Sequence, residues 1–387
     1  MRLGDSHNFG RHVSVRGDRV HKPRTLFWEQ LLLSAGSPLR QLLAKAHGDS
    51  DPFSFLPDLR FFPDTSGFGG EVERIALEPL PRLTNARKRE LAEVVGRSLA
   101  LFSWLGAADL HWENLALGLD QRGRIVFGPL DVELLLADLA LPTQTKLLPE
   151  ADPEYAELCR HAAGVRRVLP YLGKPLAGPE LVALAAAYRA TLLLLSDLAP
   201  RIGALLKSLP GLTEAPIRLL LRSTGDYAAA DSPQLWPPLL PAEAEQLARG
   251  DVPYFFRFYG KKGIFYYTSP DLQQLGRLPL RGDVPQLEPL LDLSRALRSP
   301  SRRELLQQGF FTVLGAFDHP TLTGRHESDS LELVFTARSV TARFADGEEL
   351  STSRAQLKRF VGSVYLPCTC GEARSVLVPD KTVCSAR

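Results

Sequence analysis

The chain has 387 residues, 44% of them hydrophobic and 23% charged, and its 46 basic and 44 acidic side chains leave a net charge of +2. That length holds two or three lobes around a sizeable core, and so balanced a charge offers no basis for a nucleic-acid or membrane partner. Four cysteines are too few for a disulfide framework at this size, and the start, MRLGDSHNFGRH, lacks the apolar core of a signal peptide. A reducing cytoplasm is therefore the expected location.

In chain order, HVSVRGDRVHK alternates Val13, Val15 and Val20 about Gly17-Asp18 and predicts a β-hairpin. Thr25 then caps an amphipathic helix, LFWEQLLLSAG, that stops at Gly36. A loop rich in Pro, Asp, Phe and Gly runs from Asp49 to Gly70, and EVERIALEPL predicts another strand. From Asn85 a helix of good formers leads through SLALFSWLGAA to DLHWEN, after which GRIVFGPLDVELLL reads as two short strands or one interrupted at Gly128-Pro129. From about Glu154 to Ala230 the pattern is strongly helical, with ends at Pro170, Pro200 and Pro210. Its longest apolar stretch, about Leu181 to Leu195, is broken by Arg189 and is expected to fall short of a membrane span. A Pro-rich crossing, DSPQLWPPLLP, precedes a further helix, and the last sixty or so residues alternate about Asp346-Gly347, predicting a β-rich appendage. The expected fold is α+β and bilobal, kinase-like: a small mixed lobe over 1–82, a larger mainly helical lobe over 83–325, and the appendage over 326–387.

Phosphoryl transfer needs a cation on the phosphates, a group to hold the nucleophile, and hard oxygen ligands for magnesium. DLHWEN carries Asp109 and, five positions on, Asn114, the spacing found in the catalytic loop of protein kinases. Taken alone, the hexapeptide fits a polar turn equally well, with Asp109 bonding nearby amides. Lys22, at the end of the hairpin, is placed like the lysine that pairs with phosphates. Seventeen residues beyond Asn114 comes LDVE, in which Asp131 and Glu133 point to one side of an extended segment. Two carboxylates on one face call for a cation between them. Each piece also has a bland reading, as a solvated strand end or turn; their order along the chain favours kinase-like chemistry.

GDSHNFGRHVSVRGDRVHKPR, DLHWEN and PLDVE resemble the dehydratase domain of type II lanthipeptide synthetases, the LanM family. The similarity continues in PIRLLLRSTGDYA, which resembles a segment with a paired Arg and an Arg-x-Thr, in RGDVPYF, and more weakly in ELLQQGFF. The resemblance implies a lipid-kinase-like fold that uses ATP and magnesium to phosphorylate Ser and Thr of a ribosomally made precursor peptide, then eliminates phosphate to leave dehydroamino acids. It implies that Lys22 holds the ATP phosphates, that Asp109 and His111 serve the substrate hydroxyl, and that Asn114, Asp131 and Glu133 hold magnesium. His7, with Asp5 nearby, together with Arg218 and Thr224, would expel the phosphate. Arg218 and Arg222 are expected one helical turn apart on a shared face.

Members of that family are far longer, with a large region before GDSH and a zinc-dependent cyclase after the dehydratase. At this length no cyclase is expected, so ring closure would need another enzyme or not happen at all. The family's YGWVE-like segment is here GFGGEVE. Two rival functions stand beside the dehydratase: a peptide kinase that stops at the phosphorylated product, and a non-catalytic peptide-binding protein that assists other enzymes. Cys368, Cys370 and Cys384 in the tail lack a histidine to complete a zinc site, and ordinary thiols are the expected reading.

Overall fold

The computed structural model describes residues 2–48, 50–65, 67–136, 142–149, 163–222, 227–228, 239–261, 263–278, 302–361, 363–366 and 374–377. Thr224 and the three tail cysteines lie outside the described residues, so the readings given to them are not addressed by it.

Five antiparallel strands form the first sheet: β1 (Arg2–His7), β2 (Arg11–Arg16), β3 (Arg19–Lys22), β4 (Phe61–Pro63) and β5 (Gly70–Glu73), in the order β1-β2-β3-β5-β4. The expected hairpin is β2–β3, with Ser14 opposite His21 and Val15 opposite Val20. Helices α1 (Phe27–Leu33) and α2 (Pro38–Ala46) lie between β3 and β4 in sequence. Thr25 does support the start of α1, accepting the Phe27 amide at 3.3 Å, although the helix ends at Ser34, before Gly36. Trp28, Leu31, Leu32 and Leu33 of α1 are all buried, which is the amphipathic face that the sequence pattern required.

Helix α3 (Asn85–Trp104) is capped by Thr84 and packs along α4 (Gly178–Ser208), the central helix of the fold. The two backbones touch at Gly96, where a Cβ would come within 2.1 Å of the Leu184 carbonyl oxygen, so a glycine is needed there. At 31 residues, α4 is long and apolar enough by length and composition to cross a membrane, so its length does not exclude a span as the sequence reading expected. In this fold it is a core helix: Leu181, Leu184, Ala185, Tyr188, Leu192 and Leu195 are buried against α3 and α6 (Arg302–Phe317).

Between α3 and α4 a short 3-10 turn (Trp112–Asn114) leads into the hairpin β6 (Leu115–Leu119) and β7 (Ile125–Pro129). The helical expectation for residues up to Ala230 fails after α4. Leu219 and its neighbours form β8 (Ile217–Leu219), which heads a second antiparallel sheet with β9 (Phe255–Arg257), β10 (Phe265–Tyr267) and β11 (Leu275–Arg277); helix α5 (Pro241–Ala248) intervenes. Arg218 is therefore on a strand, opposite Phe256, and does not share a helix with Arg222, whose side chain instead meets Glu243 of α5 at 2.9 Å. The reason is local composition: IRLLL is a short apolar run that a helix and a strand suit equally, and in the fold Ile217 and Leu219 are buried while Arg218 and Leu220 line the cleft, the alternation of a strand.

The C-terminal strands β12 (Gly324–Glu327), β13 (Leu331–Phe335), β14 (Ser339–Phe344) and β15 (Glu349–Ser353), with α7 (Arg354–Val361), make a meander as expected, but it is not a separate appendage. Leu331, Leu333, Phe335, Val340 and Ala342 belong to the same apolar core as α3 and α4. Arg189 of α4 reaches Asp346 at 2.7 Å and Glu348 at 2.6 Å, and stacks over Phe344. A last pair, β16 (Ser363–Leu366) and β17 (Arg374–Leu377), follows.

Candidate functional site

A cleft of about 400 Å³ opens where the ends of the first sheet face the α3–β6 loop, the segment after β7, and β8. Its lining includes Asp5 and His7 from β1, Asp109, His111 and Asn114 from the loop, Asp131 and Glu133 after β7, and Arg218 from β8. Residues from four separate stretches of sequence thus meet in one cavity. Lys22 is not among its walls; it lies just behind them.

The α3–β6 loop is held rigidly. The Ala108 amide donates to the Leu134 carbonyl at 3.1 Å and the Leu110 amide to the Thr145 carbonyl at 3.0 Å, so the residue between them is gripped from both sides. Asp109 has φ +63°, a left-handed conformation that non-glycine residues adopt at a cost, typically at functional positions. The Asn114 amide nitrogen donates to the Asp109 carbonyl at 3.0 Å, which turns this hexapeptide into a closed turn and leaves the amide oxygen of Asn114 for other work. The side chain of Asp109 meets Lys146 at 3.1 Å. His111 lines the cleft with Glu113 at 4.0 Å.

Behind the cleft lies a network of buried charge. Lys22 donates to Glu29 of α1 at 2.8 Å and to the Leu130 carbonyl at 2.6 Å. Arg24 donates to Glu29 and to Asp131, each at 2.5 Å, and its Nε approaches Glu133 at 3.1 Å. Arg218 holds the other oxygen of Glu133, and the Tyr254 hydroxyl donates to Glu133 at 3.2 Å. Lys22, Arg24 and Arg218 against Glu29, Asp131 and Glu133 balance at no net charge. Burial alone would push the Asp131 carboxyl up; Arg24, aided by Lys22, outweighs it and holds that carboxyl well below the usual range. Burial and the neighbouring Glu133 raise the Tyr254 phenol, so it stays protonated and donates.

The cation expected between Asp131 and Glu133 is in this fold the guanidinium of Arg24. Asp131 and Glu133 do face the same side, but both oxygens of Glu133 are engaged by Arg24, Arg218 and Tyr254. Glu133 is thus an anchor for the arginines and does not fit the magnesium role expected of it. Asn114 and Asp131 do fit, as hard oxygen donors lining one cleft: the Asp131 side chain is 31% exposed and meets Arg24 through Oδ1. Among the described residues no cluster of three or more His, Cys, Asp or Glu side chains is arranged to hold a metal.

His7 and Arg218 make the other half of the site. His7 Nδ1 lies 2.7 Å from the Val252 carbonyl, which can only accept, so Nδ1 carries the proton and Nε2 keeps its lone pair. Burial, reinforced by the Arg218 charge, lowers the His7 pKa from its ordinary value, so the imidazole is neutral at pH 7. Arg218 Nη2 is 3.4 Å from that Nε2, and Arg218 Nε is buried with no hydrogen-bond partner. A buried unpaired donor beside a cleft is costly and suits an incoming anion.

The sequence reading missed Arg24, Glu29, Tyr254 and Lys146. Arg24 had a signal, since it stands two positions from Lys22 and so on the same side of an extended segment. Glu29 had one too, an acid on the helix that follows the lysine strand. Lys146 had none. No model of a known protein family and no curated protein matches the chain.

Proposed function

We propose that the protein phosphorylates Ser or Thr side chains of a peptide from ATP and then eliminates the phosphate, as the LanM-like dehydratases do. The observation that carries this reading is that both residue sets line one cleft: Asp109, Asn114 and Asp131 for transfer, His7 and Arg218 for elimination. The kinase-like part is supported by the Lys22–Glu29 pair, which links the third strand of a five-stranded antiparallel sheet to the helix that follows, as the strand lysine and helix glutamate of protein kinases do.

In the first step Asp109 takes the proton of the substrate hydroxyl as its oxygen bonds to the γ-phosphorus, and the bond from that phosphorus to the bridging oxygen of ADP breaks. Asn114 and Asp131 would hold magnesium, which when bound shields the charge of the phosphates. Lys22, turned towards Glu29 and Leu130, keeps Glu29 and thereby Arg24 in place, and Arg24 aims Asp131 into the cleft. In the second step His7 Nε2 removes the α-proton, the electron pair of that C–H bond becomes the new C=C bond, and the Cβ–O bond breaks with its pair leaving on phosphate. Arg218 receives the departing phosphate through its unpartnered Nε. Glu133 and Tyr254 fix Arg218, and the cation–π contact of Arg218 with Tyr254, 5.0 Å to the ring centre, restrains it further.

A second reading, peptide binding without catalysis, is favoured by one observation: the cations of the network are already neutralised by acids. Intact-mass spectrometry of a precursor peptide incubated with protein, ATP and magnesium separates the two. Loss of about 18 Da per site, the mass of water that departs overall, supports the dehydratase. Asp109→Asn is expected to give no modification, and Arg218→Gln a peptide heavier by about 80 Da per site, the phosphoryl group. An unmodified peptide that nonetheless binds would sink the catalytic reading.

A further inference from the structure

We infer that Lys146 is the cation that meets the transferred phosphoryl group, a role that rests on the phosphoryl-transfer reading above. Neither its sequence surroundings nor the kinase-like pattern points to it, and the inference comes from three features of its placement.

The first is its backbone. Lys146 has φ +64°, in the left-handed region that glycine adopts freely and a lysine does not. It is held there firmly. Its carbonyl accepts the Gly164 amide at 2.9 Å, the Thr145 hydroxyl donates to the Pro142 carbonyl at 2.7 Å, and the Leu147 amide donates back to the Thr145 hydroxyl at 3.1 Å. Thr145 and Leu147 on either side are buried, so this turn projects one polar side chain into the cleft.

The second is what that side chain touches. The Lys146 ammonium stands 3.1 Å from Oδ1 of Asp109, which also has left-handed backbone, with side chains 39% and 29% exposed respectively. So open an ion pair contributes little to stability. Folding strength therefore does not explain why a lysine, and not a glycine, occupies a left-handed position; strained non-glycine residues of this kind gather at functional sites.

The third is the state of the other cations. Lys22, Arg24 and Arg218 are each committed to buried carboxylates, whereas the described contact of the Lys146 ammonium is with the half-buried Asp109. It lines the cleft beside the group that takes the hydroxyl proton. As the substrate oxygen bonds to the γ-phosphorus of the nucleoside triphosphate and the bond to the diphosphate leaving group breaks, negative charge spreads over the equatorial phosphoryl oxygens. Lys146 is placed to receive it, with Oδ1 of Asp109 holding the ammonium and Oδ2 left to accept the proton.

The test is Lys146→Gly, which removes the charge while giving the backbone the residue it favours. The expected result is a thermal midpoint equal to or above wild type, with kcat for phosphorylation down about a hundredfold or more and the peptide KM changed only a few-fold, since the contact forms in the transition state. Lys146→Arg should recover part of the rate, and added methylammonium should partly rescue Lys146→Gly; a merely structural lysine would respond to neither. Wild-type kcat in Lys146→Gly overturns the inference while leaving the proposed function intact. Equal loss of stability and rate in both Lys146→Gly and Lys146→Ala, without amine rescue, also overturns it. A wild-type protein that neither modifies peptide nor binds ATP overturns the proposed function, and this role with it.

Discussion

At the scale of single residues, the proposed chemistry turns on which groups keep a usable lone pair or charge. His7 keeps its lone pair because burial and Arg218 both oppose protonation. The sign is definite: with a folded pKa below the ordinary 6.5, protonation favours the unfolded chain, so the stability tied to neutral His7 is complete above pH 6.5 and declines as the pH falls below it. NMR titration of the His7 ring should therefore inflect below 6.5, and Arg218→Gln should move the inflection upward by removing a positive neighbour. The elimination rate should fall on the acid side with the same midpoint. A ring that titrates at or above 6.5 in wild type would remove His7 as the base.

The same scale shows how far the amino-acid sequence could be read. Asp109, Asn114 and Asp131 were legible as neighbours in one cleft from residue types at fixed spacings, and Arg218 from the family resemblance alone. Glu133 was legible as a site residue but not in its task, since only the three-dimensional meeting of Arg24, Arg218 and Tyr254 shows what claims its oxygens. Lys146 was illegible: it stands 37 positions from Asp109, and a left-handed backbone leaves no mark on a lysine's identity.

At the scale of elements, the β1–β2 turn carries a device of its own. In kinases a glycine-rich turn at this place covers the phosphates with its amides. Here those amides are taken: the Phe9 and Gly10 amides donate to Asp251 at 2.6 and 2.9 Å, and the Ser6 hydroxyl donates to it at 2.6 Å. The Val252 amide bonds the Ser6 carbonyl at 2.8 Å, so one short segment, RGDVPYF, seizes both the turn and His7. Burial would raise the Asp251 carboxyl, but these donors and Arg249 outweigh it and lower its pKa, so the stability the latch contributes is present above the ordinary carboxylate pKa and is lost as the pH falls through the lowered one. Asp251→Asn should lose about 1–3 kcal/mol of stability in denaturant unfolding, the cost of leaving buried donors poorly matched. It should also slow elimination more than phosphorylation, because His7 is what the latch orients. Equal slowing of both steps would reduce the latch to general support. Element types were legible where periodicity was clear, as in β2–β3 and α3, and illegible in IRLLL, where strand and helix suit the same short run.

At the scale of the whole molecule, the C-terminal meander belongs to the core. Phe344 packs on Phe310 of α6 with ring centres 5.3 Å apart, and Gly178 at the start of α4 lies so close to His326 that a Cβ would sit 2.1 Å from the ring. Truncation after residue 323 would strip this face from α4 and expose its apolar side, so the shortened chain is expected to lose its cooperative thermal transition and aggregate. A truncated protein that melts cooperatively near the wild-type midpoint would restore the picture of a separate appendage. The sequence showed the strands but not their attachment, because alternation reports that one face is buried and is silent about what buries it.

The grip of Asp251 on the β1–β2 turn bears finally on motion. A turn tied by its own amides to Asp251, in the segment before β9, is not built to lift and drop as a lid. For the proposed peptide substrate, entry and exit would then go by the sides of the cleft, in the manner of a fixed die through which a flexible strand is drawn more than of a jaw that shuts on its cargo. Under the proposed function, stiffening the substrate should then matter more to the rate than stiffening the protein.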